Sequence, residues 1–166
     1  MALNDTLLKA FSDQITLELE SSIVYLQLGI ALDDHDLPGM ASWMRLQSDE
    51  ERAHAAKFIA HVTDRGSRPQ IGAIAAPHDV GDSVLAAFEA SLAHEQKVSE
   101  SIRDLYRLAQ SEGDIDAIPL LHWFIEEQIE EEATVGEIFG RLRLIGDDGA
   151  GLLRLDAELG SRTTAE

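Results

Sequence analysis

The chain has 166 residues, 45% of them hydrophobic, no cysteine and a formal net charge of −18. That is enough for one domain, 1–166, with a real core, and too apolar for a disordered chain. The charge argues against nucleic acid or an anionic membrane as partner, since phosphate binding needs Lys and Arg, while it is compatible with attracting cations.

Without cysteine, disulfides and thiolate metal sites are excluded, and a reducing cytoplasm is the expected compartment. The N-terminal MALNDTLLKAF lacks a basic region followed by an apolar one, so no signal peptide is expected. No uninterrupted apolar run approaches the roughly 20 residues of a membrane span. Four prolines in the chain, and long stretches free of Pro and Gly, favour helix.

The first helix is expected over about 4–32, capped by Asn4 or Asp5 and ended by Asp33-Asp34-His35-Asp36. Its apolar stripe runs Leu7, Phe11, Ile15, is interrupted by Glu18, and continues through Ser22, Tyr25, Leu28 and Leu32. The second is expected over about 37–64, with Pro38 in its first turn and Gly66 as its stop. Its stripe is Met40, Met44, Gln47, then Glu51, then Ala55, Phe58 and Val62.

The segment RGSRPQIGAIAAPHDVG, Arg65 to Gly81, is too broken by Gly and Pro for a helix. About 15 extended residues at roughly 3.3 Å each span some 50 Å, and a helix of about 29 residues is roughly 43 Å long. The segment can therefore cross the full length of a bundle.

The third helix is expected over about 82–111, with the stripe Leu85, Phe88, Leu92, Glu95, Val98, Ile102, Leu105 and Ala109. The fourth is expected over about 116–145, with the stripe Ile118, Leu121, Ile125, Gln128, Glu131, Val135, Ile138, Leu142 and Ile145. A short amphipathic helix over about 150–159 follows. The fold class is thus all-α: a four-helix bundle with one long crossover and a short fifth C-terminal helix.

Glu18, Glu51, Glu95 and Glu131 each interrupt an apolar stripe near the middle of a separate helix. A core carboxylate is costly unless something compensates its charge. Four at one level, with His54 one turn after Glu51, make the pattern of a dinuclear metal site. Carboxylate with imidazole suits iron, manganese or zinc better than magnesium or calcium. Four ionised carboxylates sum to −4, which two divalent ions balance.

The two halves differ. Glu18, Glu51 and His54 would hold one metal. Glu51 as a bridge, Glu95 and Glu131, with Gln128 close by, would hold a second, which lacks a histidine and should bind more loosely. Tyr25, two turns after Glu18, could hydrogen-bond a ligand or supply an electron; a buried, satisfied tyrosine is the alternative. Most of the acidic run 126–132 reads as a solvated face. Trp43 and Trp123 read as packing, His35 and His78 as turn residues, and His94 as pointing away from the centre. Glu112, Asp114 and Asp116 could line a pore or make an ordinary polar turn.

The motifs LELESSIVYL (Leu17–Leu26), DEERAHAAKF (Asp49–Phe58), HEQ (His94–Gln96) and WFIEEQIEEE (Trp123–Glu132) resemble those of bacterial non-haem ferritins. The resemblance covers nearly the whole chain. It implies a homo-oligomeric cage of 24 subunits. Such a cage oxidises four Fe(II) per O2, or uses H2O2, at a di-iron ferroxidase centre and stores the ferric mineral.

It carries over Glu18, Glu51 and His54 to one iron, and Glu51, Glu95 and Glu131 with Gln128 nearby to the other. Glu50, Glu127, Glu130 and Glu131 match a third iron position, and Tyr25 matches a tyrosine beside the centre. Haem is not expected: Arg52 stands where the haem-binding relatives have methionine, and the second Glu-x-x-His is absent. Two other readings remain: a rubrerythrin-like di-iron oxidase, which normally needs a Cys-rich module absent here, and an acidic scaffold that sequesters metal without oxidising it.

Overall fold

A computed structural model of the chain describes residues 3–77 and 83–163. Among these residues there are five helices and no strand: α1 (Asp5–Asp34), α2 (Pro38–Asp64), α3 (Val84–Ser111), α4 (Ile118–Ile145) and α5 (Gly149–Leu159). The start signals act as expected. Asn4 Oδ1 accepts from Leu7 N at 2.9 Å, Ser83 Oγ accepts from Ala86 N at 3.2 Å, and Pro38 opens α2. Gly66 and Gly113 stop α2 and α3 at φ of +72° and +70°, a conformation that costs glycine little.

α1 packs along α2 and α3 along α4, with α1 also lying against α3. The crossover climbs α1 by side-chain rungs. Leu3 N donates to Ser67 Oγ at 3.1 Å, Gln70 N to Ser12 Oγ at 3.1 Å, and Gly72 N to Thr16 Oγ1 at 2.8 Å. Beyond these, Ala75–Pro77 lie beside Glu20, Val24, Gln27 and Leu28. The part of the expected crossover that includes His78 lies outside the described residues.

α5 docks on the start of α2. The buried Asp156 accepts from Met40 N through Oδ1 at 2.7 Å, capping a helix that has no side-chain cap of its own. Any Cβ on Gly39 would come within 1.9 Å of Asp156 O, so this contact requires glycine.

The core is two apolar clusters with a polar layer between them. One includes Tyr25, Leu32, Met44, Phe88 and Val135; the other includes Phe11, Phe58, Ile102, Leu121 and Phe124. Two details of the stripes need correction. On α4 Phe124 is fully buried at the centre of the face, while Ile125 is half-buried and packs at the edge of the same cluster. Its core positions 121, 124, 128, 131, 135, 138 and 142 alternate steps of three and four, which holds one face toward neighbouring helices. Leu85, in the first turn of α3, is exposed. α1 is long and apolar enough to cross a membrane, yet it carries buried Gln14 and Glu18 and serves as a wall of this bundle.

Candidate metal centre

The layer between the apolar clusters contains Glu18, Glu51, His54, Glu95, Gln128 and Glu131, all buried. Each is delivered by the 3.6-residue period of its helix, at a point where the stripe would otherwise continue with an apolar residue.

On the α1/α2 side, one ligand atom each from Glu18, Glu51 and His54 lies within 4.8 Å of the others. His54 Nδ1 is 3.4 Å from Glu51 Oε2 and 3.9 Å from Glu18 Oε2. Among the described residues, none of these three atoms has a hydrogen-bond partner. Buried polar atoms are rarely left so, because each forfeits its hydration. The remaining Glu18 oxygen is held: Gln14 Nε2 donates to Oε1 at 2.7 Å, and Ser101 Oγ donates to Gln14 Oε1 at 2.6 Å. Three converging, unpartnered N and O atoms fit a divalent transition metal. The far nitrogen of the imidazole, Nε2, faces Glu127 Oε1 at 3.8 Å, and the ring is held edge-on by Trp123 and Phe124.

On the α3/α4 side the carboxylates are satisfied. Glu95 Oε1 accepts from the Tyr25 hydroxyl in a short bond, and Oε2 accepts from Gln128 Nε2 at 3.0 Å. Glu131 Oε2 accepts from Gln47 Nε2 at 2.8 Å.

Burial dominates the electrostatics. It pushes the Glu18 and Glu51 carboxyls well above the usual range, with the negative charge of Glu51 adding to Glu18 and that of Glu95 adding to Glu51. Glu95 is raised, again by burial. Glu131 is pushed up to about 7 by burial and then by Glu95. Burial and the Glu95 charge also raise the Tyr25 phenol, which keeps its proton and donates it. At neutral pH the metal-free layer therefore holds protons, and bound cations would displace them.

The residues matched to a third iron are scattered among other partners. Glu50 is ion-paired with Arg162, Glu127 faces His54, Glu131 belongs to the central layer and Glu130 is exposed. His94 turns away from the centre toward Ser21 Oγ, 2.7 Å from its Nε2; burial lowers its pKa to about 4, so it is neutral. Asp114 takes a bidentate pair from Arg65 at 2.7 and 2.8 Å, and Glu112 accepts from Asn4. The turn they occupy is tied to the rest of the chain by these bonds.

Three residues that support the layer are not singled out by sequence reading: Gln14 and Gln47, which bond its carboxylates, and Arg162, which bonds Gln47. Gln47 did carry a signal, a polar residue on an apolar stripe one turn before Glu51. Arg162 carried none, since it follows the last helix and belongs to no periodic pattern.

A family model described as a ferritin-like domain matches residues 8–145. The chain is 34% identical to a bacterial non-heme ferritin of Staphylococcus aureus over 164 residues, 99% of each chain. It is 33% identical to a probable bacterial non-heme ferritin-like protein of Haemophilus influenzae, over 98% of each. Among solved structures, an Archaeoglobus fulgidus ferritin engineered to a closed form superposes with a TM-score of 0.96 at 38% identity, covering 99% of this chain and all of that one. The open-pore ferritin of the same organism superposes with a TM-score of 0.95 at 38% identity, covering 98% of this chain and all of the other.

Proposed function

The chain belongs to the ferritin-like family, and we propose that it is an iron-storage ferritin that oxidises Fe(II) at the buried layer. The observation that carries this reading is the set of three unpartnered ligand atoms from Glu18, Glu51 and His54. Fe(II) is the substrate. Glu18, Glu51 and His54 would bind one ion. Glu51 would be shared with a second ion held by Glu95 and Glu131, with Gln128 at its edge.

The chemistry supported by such a pair is electron transfer from Fe(II) to O2, or to H2O2. Four Fe(II), one O2 and four protons give four Fe(III) and two waters. The chain's part is electrostatic. Carboxylates stabilise the higher charge of Fe(III) more than that of Fe(II), which lowers the potential. The apolar clusters on either side keep the layer poor in water, which strengthens each of these interactions. Tyr25 holds Glu95 through its hydroxyl, and in this reading it supplies an electron to the centre.

As the family resemblance implies, we propose a cytoplasmic cage of 24 copies with the mineral inside and no haem. Stopped-flow absorbance after mixing Fe(II) with aerobic metal-free protein tests the assignment. Oxidation should be fast and saturate at two irons per chain in the native protein. Glu51→Ala should assemble normally and lose the fast phase. Unchanged rates in Glu51→Ala and His54→Ala would instead leave a scaffold that collects metal passively.

A further inference from the structure

Arg162 comes within one residue of the centre, through Gln47 and Glu50. The docking of α5 fixes where it starts. Asp156 is hydrogen-bonded to Met40 N, and a Cβ on Gly160 would fall 2.8 Å from Gly39 Cα. The backbone leaving α5 is thus seated on the first turn of α2. Arg162 N donates to Leu159 O at 3.2 Å, and the side chain then runs along α2. Its guanidinium lies 5.2 Å from the Trp43 ring centroid. Nη2 donates to Glu50 Oε2 at 2.5 Å, and Nη1 donates to Gln47 Oε1 in a short bond.

The consequence for the centre follows from donor and acceptor roles. A guanidinium has donors only. Gln47 must therefore turn its oxygen toward Arg162, which leaves its amide nitrogen to donate to Glu131 Oε2 at 2.8 Å. Glu50, the neighbour of Glu51 on α2, already has its positive partner. Arg162 thus does two jobs from one place. It neutralises a carboxylate beside the layer, and it sets the face that Gln47 shows to Glu131. An exposed ion pair would be worth little. This one is partly buried, lies over an indole and is bonded to two residues, and arginine suits that geometry better than lysine.

We propose that Arg162 is a positioning residue that acts as a built-in cation beside the centre, holding Glu50 away from metal and confining tight binding to two ions per chain. This rests on the reading of Glu51 and Glu131 as metal ligands.

The test is an oxygen-free titration of the assembled, metal-free protein with Co(II), followed by calorimetry and by the visible ligand-field bands. The native chain should take up two Co(II). Arg162→Gln should take up a third with its own band, and Arg162→Gln with Glu50→Gln should return to two. Arg162→Lys, which restores the charge, should also return to two. Glu50→Gln in the otherwise native chain should leave the count at two. It gives an answer even if Arg162→Gln does not assemble.

A third Co(II) in the native chain would overturn the inference. So would a count and spectrum unmoved by Arg162→Gln, or loss of a Co(II) in Glu50→Gln alone. Failure of the metal-centre reading looks different: Co(II) uptake by the native chain would then be indifferent to Glu51→Ala.

Discussion

On the α1/α2 side of the central layer, Glu18 Oε2, Glu51 Oε2 and His54 Nδ1 converge with no hydrogen-bond partner among the described residues; on the α3/α4 side, Tyr25 and Gln128 occupy both oxygens of Glu95, and Gln47 holds Glu131. The residue types are nearly the same and their burial is similar. What differs is what a cation must displace. On the first side Glu18 and Glu51 lean on each other, and a cation displaces the proton they share and few contacts to other side chains. On the second it must compete with neutral donors that already satisfy the carboxylates. A buried carboxylate is therefore not by itself a metal site; its remaining hydrogen-bonding capacity decides how ready it is.

The strongest way to break the comparison is to remove the residue common to both sides. Glu51→Ala should slow Fe(II) oxidation by at least about 100-fold, because even loss of an outer partner of a metal ligand costs roughly 10- to 100-fold. Rapid-mixing absorbance reads this directly. A variant that loses only one of two kinetic phases would show that Glu51 serves one side alone.

Next in size is the pH dependence of the metal-free protein. Glu131 binds its proton up to about 7 when folded, against an ordinary value of 4.5. The folded state then holds more protons than the unfolded one, so stability falls as pH rises from about 4.5 to 7. Glu131 alone contributes about 3 kcal/mol to that fall, and the raised Glu18 and Glu51 carboxyls add in the same direction. Melting scans should show Tm dropping from pH 5 to pH 8 without metal. Loading two Zn(II) per chain should flatten the profile, since the metals replace the protons.

Tyr25→Phe sharpens the contrast by opening the satisfied side. It strips the short bond from Glu95 Oε1 and leaves a buried acceptor unpaired, which costs about 1–3 kcal/mol. The metal-free Tm should fall, while calorimetry should show the second Co(II) binding more tightly than in the native chain. A weaker second Co(II) would mean that Tyr25 builds that side rather than locks it.

The smallest effect is expected from Glu18→Gln. It removes a carboxyl whose ionisation is opposed by burial and by Glu51. Metal-free stability at pH 8 should rise, by about 1 kcal/mol, while the first metal is lost. A lower Tm would show that Glu18 contributes more to the fold than its charge costs.

Much of the architecture was legible in the chain. Caps at Asn4 and Ser83, the proline at the start of α2 and glycines at 66 and 113 are local signals, and the helices begin and end on them. The interrupted stripes marked Glu18, Glu51, Glu95 and Glu131 because periodicity reports which face a residue occupies. It does not report who meets it from another helix. Hence the donors Gln47 and Tyr25 could be placed on faces but not paired with their acceptors, and Gln14, off the stripe, carried no mark at all. Phe124 and Ile125 are adjacent, and either fits a step of three or four from its neighbours; packing against Phe58, with ring centroids 4.0 Å apart, decides for Phe124. Arg162 is reached by contacts across 112 and 115 residues, from a tail with no pattern of its own.

The most direct test of the asymmetry is anomalous diffraction from crystals of the metal-free protein given Zn(II) at one and then two equivalents per chain. The first ion should appear among Glu18, Glu51 and His54, with the second following at Glu51, Glu95 and Glu131 only as the second equivalent is added. First occupancy at Glu95 and Glu131, or equal density at both positions from the start, would contradict the account.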